Sequence, residues 1–445
     1  MDKIISERTH RGLVLTLDPM SSDKINLSKS LDISRWFYNK LVEEYLNCIK
    51  ENRPPKYPSF PELREQHEFL KGMESWACST IRMNFVQTNK INRKKRSKGQ
   101  SVGLRHFKCK KDHNDSYPSL ITDISYDPDD ASKSYVKIPK IGKVRFKNKN
   151  IDPIFLKDSS KVKYGIIRRT KTGVYTVSLL VEVDKIYEDR VDNGHIGLDF
   201  SLKDFFVDSF GAKAPEFSTK RSKMESLQEK IDTLNETISK MRTKSKKKRK
   251  ISVKVHRITM KRNKLYERVH NIQVDYLNKL SRDLCKHNEL IVVENLDLKE
   301  MSEHTSYLDA KTSTKGGNHG KSVGLLQWGY FLKKLEENSE KFGCHLVLAD
   351  KFYPSSQICS SCGKIHSEMK DVTNRTLNCK CGNIIDRDHN SAINLLKFGE
   401  VVVNNKSYHS LKTLGKDLSE YKTFKHLDFC ATHKSQLSEL ELQLL

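Results

Sequence analysis

Four cysteines within 23 residues constrain the fold of this chain more than any other feature of its sequence. They are Cys359, Cys362, Cys379 and Cys381. Gly363 and Gly382 follow the two pairs, a pattern typical of the knuckle turns that supply thiolates to tetrahedral Zn²⁺. The other six cysteines are scattered singly, which favours one metal site in a reducing compartment over a disulfide framework.

Only one residue separates Cys379 from Cys381, whereas two are usual in such pairs. This departure leaves open that His366 or His389 replaces one thiolate as a ligand. A closed site with four ligands holds a ribbon together and performs no catalysis, so we expect the zinc to be structural.

The charge of the chain points to a polyanionic partner. Lys and Arg exceed Asp and Glu by 25, and nucleic acid is the commonest partner of such a surplus, although a ribosome-associated basic protein has the same balance. One dense run consists of Lys244, Lys246, Lys247, Lys248, Arg249 and Lys250. It predicts either phosphate contacts without sequence information or the solvated tip of a helical hairpin.

The sequence shows no sign of membrane insertion. No apolar run approaches the roughly 20 residues that cross a bilayer, and the first residues lack the pattern of a signal peptide. We therefore expect no membrane partner and a cytoplasmic, nucleoid-associated location.

Four large aromatic residues are candidates for base stacking, although their helical spacing favours a core position: Trp36, Phe37, Trp76 and Trp328.

Periodicity predicts an α+β multidomain protein. Residues 1–20 and 120–190 alternate as strands and enclose a helical stretch over 21–119, whose first helix we expect over 28–50. This order predicts a β-barrel carrying a helical insertion. Further along, two short strands over 195–211, a long helical hairpin, a buried strand, a helix and another strand alternate, which predicts a mixed or parallel sheet.

Three acids stand at the ends or starts of these later elements. Asp199 lies in the strand "IGLDF", Glu294 ends the strand "LIVVE", and Asp388 begins the helical segment "DHNSAINLL". Taken singly, each is more typical of a cap or a loop residue. If the two strands are neighbours, however, the three carboxylates converge, and their repulsion requires hard divalent cations such as Mg²⁺ or Mn²⁺. Two such ions about 3.5 to 4 Å apart would support phosphodiester hydrolysis.

Four motifs, in this order, resemble those of the TnpB proteins, which are transposon-encoded RNA-guided DNA endonucleases with a RuvC, RNase H-like, catalytic domain. They are "IGLDFSLKDFFVDSFG", "LIVVENLDLKEM", "YPSSQICSSCG" and "CGNIIDRDHNSAINLL", and they cover roughly residues 195–400. The resemblance implies that Asp199, Glu294 and Asp388 are the catalytic metal ligands and that the four cysteines form an inserted zinc ribbon. Asp386 competes with Asp388 for the third position, and we favour Asp388 from its distance to Asn390.

The resemblance also implies a domain plan. A wedge-like barrel would comprise 1–20 and 120–190, with a recognition insertion over 21–119. The nuclease domain would comprise 191–357 and 383–400, around a ribbon at 358–382, and a tail would cover 401–445. The implied partners are an omega-type guide RNA, encoded near the transposon end, and double-stranded target DNA beside a short adjacent motif, with the target read by base pairing.

Four alternatives differ from this interpretation. One is a eukaryotic relative of the Fanzor group. A miniature type V CRISPR effector would share the catalytic domain and differ in the source of its guide. A binding-only RNA-guided repressor would have lost acids of the triad, whereas candidates for all three are present. A zinc-ribbon transcription factor would leave the three acids and the long helical hairpin unexplained.

Overall fold

The structure is a computed structural model that describes residues 8–110, 115–121, 123–127, 129–130, 132–147, 151, 155, 161–184, 187–244, 253–296, 326–349 and 353–404. The chain forms two compact units, Met1–Lys185 and Ile186–Leu445. In the described part, no helix is long and apolar enough to span a bilayer.

The described residues of the first unit form seven strands and three α-helices. The helices are α1 (Ser21–Lys50), α2 (Phe60–Gln66) and α3 (Ser75–Ser97). The strands are β1 (Arg8–Thr16), β2 (Asp115–Ser119), β3 (Asp123–Ser125), β4 (Tyr135–Ile138), β5 (Gly142–Arg145), β6 (Lys161–Arg169) and β7 (Tyr175–Asp184). They form two antiparallel sheets, in the orders β1-β7-β6-β2 and β3-β4-β5.

The helices of this unit follow the predicted pattern with one difference. The first helix begins at Ser21, earlier than the expected residue 28. The cause is a cap at its start, where the Asp23 carboxylate accepts a hydrogen bond at 3.0 Å from the N–H of the N-cap residue Met20, a donor that has no partner within the helix. A buried ion pair then fixes this helix to β2, since Arg35 lies 3.0 Å from the Asp115 carboxylate. A short 3-10 turn ends at Gly72, and α3 begins at Ser75.

The second unit is built on a four-stranded mixed sheet. Its strands are β8 (Gly194–Ser201), β9 (Phe205–Asp208), β10 (Asn288–Glu294) and β11 (His345–Ala349), in the order β11-β10-β8-β9. The pairs β8–β10 and β10–β11 are parallel, and β8–β9 is an antiparallel hairpin. The helices are α4 (Phe217–Lys244), α5 (Val253–His287), α6 (Trp328–Phe342) and α7 (Arg387–Asn404), and β12 (Thr376–Asn378) pairs with β13 (Ile384–Asp386).

The sheet is covered on both faces, as expected for its parallel pairs. Ile291 and Val293 pack into the larger core with α5 and α6, whereas their neighbours Leu290 and Val292 pack with Leu395 of α7. The alternation follows from the two-residue repeat of a strand, and it explains why "LIVV" is apolar without interruption. The predicted mixed sheet is thereby confirmed.

One position in the hairpin of β8 and β9 has strained backbone. Phe205 has a φ of 71°, in the left-handed region that side chains rarely occupy. Its ring is fully buried, and its centroid lies 5.2 Å from that of Trp328 and 5.1 Å from that of Phe331. The aromatic packing holds the strained turn in place.

Helix α7 approaches the sheet at backbone distance. A Cβ added at Gly197 of β8 would lie 2.1 Å from the Ala392 carbonyl oxygen, and one added at Gly399 would lie 2.1 Å from Cγ2 of Val292. Only glycine permits such an approach, because any other side chain at these positions would separate the helix from the strands. The two glycines therefore set the height of α7 above the sheet.

We predict that Gly197→Ala lowers the free energy of unfolding by about 1 to 3 kcal/mol, because the added methyl group displaces α7. Thermal unfolding followed by circular dichroism measures the change. The matched control is Gly12→Ala in β1, where an added Cβ meets nothing within 4 Å. Equal stability of the two variants would contradict the proposed close contact.

Candidate functional site

Asp199 is the most buried of the three predicted acids. Its side chain is 8% exposed, near the end of β8, and it points toward α7, where the Ser391 hydroxyl donates a hydrogen bond to Oδ1 at 2.6 Å. Burial raises the pKa of Asp199 well above its ordinary range, the Ser391 hydrogen bond lowers it, and nearby Glu294 and Asp388 raise it further. The carboxylate therefore lies in a pocket that disfavours negative charge in the absence of a cation.

Glu294 is placed beside Asp199 by strand register. In the parallel pair of β8 and β10, Val293 is opposite Leu198, so that the next residue along each strand is an acid on the same face of the sheet. Burial raises the pKa of Glu294, while the guanidinium of Arg387 lowers it. The prediction that the strands carrying Asp199 and Glu294 are neighbours in one sheet is thus confirmed.

Asp388 completes the group from the first turn of α7. Its burial raises its pKa, the nearby Arg375 lowers it, and Asp386 raises it again. Arg375 Nη1 lies 3.3 Å from Asp388 Oδ1. The structure thus brings Asp199, Glu294 and Asp388 close enough for the charges of the other two to raise the pKa of Asp199.

Asp386, the alternative third acid, has a different structural role. Its Oδ1 accepts hydrogen bonds from the backbone N–H groups of Asp388 at 2.9 Å and His389 at 3.1 Å. It is therefore the N-cap of α7, which satisfies the free donors of the first turn. This geometry favours Asp388 over Asp386 as the metal ligand.

The four predicted cysteines also converge. Their Sγ atoms all lie within 4.8 Å of one another, and the pairs Cys359–Cys381 and Cys362–Cys379 are 3.7 and 3.5 Å apart. A tetrahedron of thiolates with metal–sulfur bonds of about 2.3 Å has edges of about 3.8 Å, so the cluster fits Zn²⁺. A cluster of four cysteines that can hold zinc is therefore present.

The one-residue spacer of the second pair produces a shorter knuckle of the same design. In the first knuckle, the N–H of Cys359 donates to Lys364 and the N–H of Gly363 donates to Cys359. In the second, the N–H of Cys379 donates to Asn383 and the N–H of Gly382 donates to Cys379, so each bond spans one residue fewer. Gly363 and Gly382 both have positive φ, 72° and 91°.

Neither histidine is needed as a fourth ligand. His389 lies on α7 and its Nε2 is 3.3 Å from the Ser209 carbonyl oxygen. His366 is buried beside the cluster, and its Nδ1 lies 2.9 Å from Glu368 Oε1. Glu368 and the adjacent Cys379 raise the pKa of His366, which suits a residue that supports a thiolate from outside the ligand set.

Helix α7 joins the cysteine cluster to the acid group. Asn390 Oδ1 accepts from the Ser360 N–H at 2.9 Å, and its Nδ2 donates to the Ile358 carbonyl at 2.7 Å. One turn later, Asn394 Nδ2 donates to the Ile358 and Ser355 carbonyls, at 2.7 and 2.8 Å. This amide stripe, Asn390 and Asn394, thus holds the first knuckle against the helix that carries Asp388.

Other sequence candidates lie elsewhere. Of the basic run, Lys244 ends α4 and the remainder lies outside the described residues. Residues 405–445 of the predicted tail also lie outside them. Phe37 and Trp328 are fully buried, which confirms the core interpretation for these two, whereas Trp36 and Trp76 are partly exposed.

Sequence reasoning missed three residues of the site, namely Ser391, Arg375 and Arg387. Ser391 follows Asp388 by three positions and therefore shares its helix face, a signal that the periodicity of "DHNSAINLL" contains. Arg375 precedes β12 and lies 13 residues before Asp388, and no helical or strand repeat indicates its contact with that acid.

Two family models match segments that carry this site. Residues 178–305 match the model described as "Probable transposase", and residues 328–395 match "Cas12f1-like, TNB domain". The first segment contains Asp199 and Glu294, and the second contains the cysteines and Asp388.

Curated relatives agree with these matches. A "Putative RNA-guided DNA endonuclease" of Streptomyces pristinaespiralis is 28% identical over 136 residues, which cover 31% of each chain. The "TnpB-like protein L79" of Acanthamoeba polyphaga mimivirus is 30% identical over 139 residues, which cover 31% of this chain and 24% of the relative. The chain thus spans less than a third of the length of these two relatives.

A solved structure extends the likeness of fold to most of the chain. The match is to the "Cryo-EM structure of the Cas12f1-sgRNA-target DNA complex", with a TM-score of 0.50 and 12% identity, over 87% of this chain and 99% of that chain. At this identity the similarity concerns the mixed α+β fold.

We predict that Asp199→Asn stabilises the protein when no divalent salt is present. A buried acid whose pKa is raised holds its proton more strongly in the folded state, so the stability of the wild type falls as pH rises, and the amide removes this loss. The melting temperature at pH 8 should rise by several degrees, since about 1 kcal/mol shifts a unit of this size by roughly 2 to 4 °C. The gain should shrink toward pH 5, and a gain that does not depend on pH would contradict the prediction.

Proposed function

The chain is related to the TnpB family, and from this premise we propose that it is an RNA-guided endonuclease that cleaves double-stranded DNA. The observation that carries the proposal is that the paired strands β8 and β10 place Asp199 beside Glu294, and that Asp388 of α7 lies near enough for its charge to act on Asp199. The oxygens of three carboxylates in a half-buried pocket are suitable ligands for hard divalent cations. The net charge of +25 suits the nucleic-acid partners.

We assign Mg²⁺ or Mn²⁺ to these acids, with hydrolysis of the phosphodiester bond by two ions. When bound, the ions would activate water and stabilise the leaving oxygen. The protein contributes the positions of the ligands: Ser391 orients the Asp199 carboxylate, and Asp386 holds the helix end that presents Asp388.

The zinc assignment concerns structure and not chemistry. Zn²⁺ bound by Cys359, Cys362, Cys379 and Cys381 would fix the two knuckles. Because Asn390 and Asn394 attach the first knuckle to α7, the metal would also fix the helix that carries Asp388.

The finer domain plan belongs to this proposal. The second unit would be a RuvC-like domain over 191–357 and 383–400, with the ribbon at 358–382 and the tail beyond 400. The strands of the first unit would form the wedge-like barrel, which grips an omega-type guide RNA and reads the target-adjacent motif with the insertion over 21–119. The basic run at 244–250 would contact phosphate, and the protein would act at the nucleoid in the cytoplasm.

Two alternatives remain distinguishable by experiment. A miniature type V CRISPR effector would lie beside a repeat array, whereas a transposon-encoded nuclease would lie between transposon ends with a structured RNA downstream. A binding-only repressor would hold guide and target without cutting. The presence of all three acids favours the nuclease.

The decisive assay uses protein purified together with RNA expressed from its own locus. The bound RNA is sequenced, and a plasmid carrying the matching target is incubated with and without Mg²⁺. We expect cleavage only with Mg²⁺ and only beside a suitable adjacent motif. Target binding without any cleavage would favour the repressor.

We predict that Asp388→Asn lowers the cleavage rate by on the order of 100-fold or more, since it removes a metal ligand. Asp386→Asn should retain most of the rate, because asparagine caps a helix about as well as aspartate. Rates of plasmid cleavage at saturating guide measure both variants. The reverse order of the two rates would assign the third ligand to Asp386.

We predict that Cys379→Ser loses bound zinc, from about one ion per chain to a small fraction of that, because a hydroxyl is a poor zinc ligand. Inductively coupled plasma mass spectrometry on the purified protein measures the content. The control is Cys109→Ser, which changes an exposed thiol of the first unit. Full zinc content in the Cys379 variant would contradict the four-thiolate site.

A further inference from the structure

We propose that one side of α5 binds the phosphate backbone of a nucleic acid duplex. This side carries five cations, which we call the basic stripe: Lys254, Arg257, Lys261, Lys264 and Arg268. The stripe includes neither the acids nor the cysteines of the candidate site, and it is distinct from the basic run at 244–250. The inference rests on the proposed function only for the nature of the partner.

The spacing of the basic stripe places its five side chains in one row along the helix. They follow one another at intervals of three, four, three and four residues, so that at 3.6 residues per turn they fall within an arc of about 80°. All five are exposed. At 1.5 Å per residue the row is about 21 Å long. The result is a straight line of positive charge on a rigid support.

The packing of α5 against α4 leaves the basic stripe uncovered. Leu265, Val269 and Ile272 of α5 pack with apolar residues of α4. Arg262, on the same side of α5 as these three, donates a hydrogen bond to Asn235 of α4 at 3.2 Å. The stripe lies about a quarter of a turn from this contact face. Its exposed cations are therefore available to a partner.

The basic stripe lacks counter-charges. Among the described residues, no ion pair involves the last four of its cations, whereas Lys279, further along the same helix, pairs with Asp275 at 2.8 Å. Over the length of the stripe, α5 contains one acid, Glu267. A helix face that is merely solvated normally mixes both signs of charge. A row of one sign indicates a partner of the opposite sign.

Mutual repulsion gives the basic stripe a cost in the free protein. Like charges three and four residues apart destabilise a helix. A bound polyanion neutralises the row, and the release of its condensed counterions favours binding. The stripe therefore suits a partner with closely spaced negative charges, and the phosphate backbone of nucleic acid is such a partner.

The composition of the basic stripe favours a duplex over a single strand. Proteins that hold single strands stack the bases on aromatic side chains along a basic groove, and the stripe contains none. The exposed aromatic residue of this region, Tyr266, lies on the opposite side of α5. B-DNA carries one negative charge per about 1.7 Å of its axis, so a length of about 21 Å presents more phosphates than five cations need. Such contacts position a duplex without reading its sequence.

The test compares the full-length protein, purified with its RNA, with a stripe variant that carries Arg257→Gln, Lys261→Gln, Lys264→Gln and Arg268→Gln. The matched control loses the same charge by substitution to Gln of four exposed cations of the same unit, each of which pairs with an acid: Lys240, Lys279, Arg282 and Lys333.

Binding is measured by fluorescence anisotropy over a series of NaCl concentrations without divalent salt. The probes are a DNA duplex, an RNA duplex and a DNA single strand, none of which matches the guide.

We expect the stripe variant to bind the duplexes at least tenfold more weakly in the lowest salt used. Its plot of log K against log [NaCl] should be less steep by about 3 to 4, since each phosphate contact contributes about 0.9 to the slope. The control should keep the slope of the wild type, and the single strand should lose less affinity than the duplexes.

The stripe variant should melt at or above the temperature of the wild type, because the repulsion between its cations is gone. Lys261→Gln alone should reduce the slope by about 1. This single variant keeps the inference testable if the fourfold variant folds poorly.

Equal slopes for the stripe variant and the control, or a larger loss for the single strand than for the duplexes, would overturn the inference. A loss confined to one duplex supports it and identifies whether the contacted backbone is DNA or RNA. The measurement requires neither a guide match nor a divalent ion. A wild type that fails to cut its matched target would therefore count against the proposed nuclease and leave this result readable.

Discussion

The contact of α7 with β8 and β10 is the constraint on which the candidate site depends. Gly197 and Gly399 allow the helix to lie at backbone distance from the strands, and only at that distance does Ser391 reach Asp199. Asp388 belongs to the same rigid helix, so its distance from the two strand acids is fixed by the same contact. The arrangement of the three acids is thus a consequence of how one helix packs.

The cysteine cluster and the acid group are connected through the same helix, α7, although they suit different metals. Soft thiolates fix two turns of backbone, and the amide stripe of Asn390 and Asn394 binds the first of these turns to the helix that presents a hard ligand. The closeness of the two ligand types in "CKCGNIIDRDHN" therefore reflects a shared support, with Asp386 between them as the helix cap.

Sequence patterns predicted the main sheet of the second unit, its long helices and the cluster of four cysteines, because each of these patterns has a local cause. Unbroken apolar residues indicate a strand covered on both faces, and "CSSCG" indicates a knuckle. The patterns could not predict the ion pair of Arg375 with Asp388, because these charges meet only in the folded chain. The start of α1 was also misplaced, since one carboxylate, that of Asp23, extends the helix beyond its apolar repeat.

The parallel pairing of β8 with β10 has a consequence for the order in which the protein matures. The strand that carries Asp199 is made early in this unit and its partner only after the long hairpin of α4 and α5, while α7 is the last element of the three. A chain whose synthesis has not yet reached α7 therefore lacks the helix that supplies Asp388. The pocket closes only after nearly the whole unit has been translated, so nascent chains and shortened products have an incomplete set of acids.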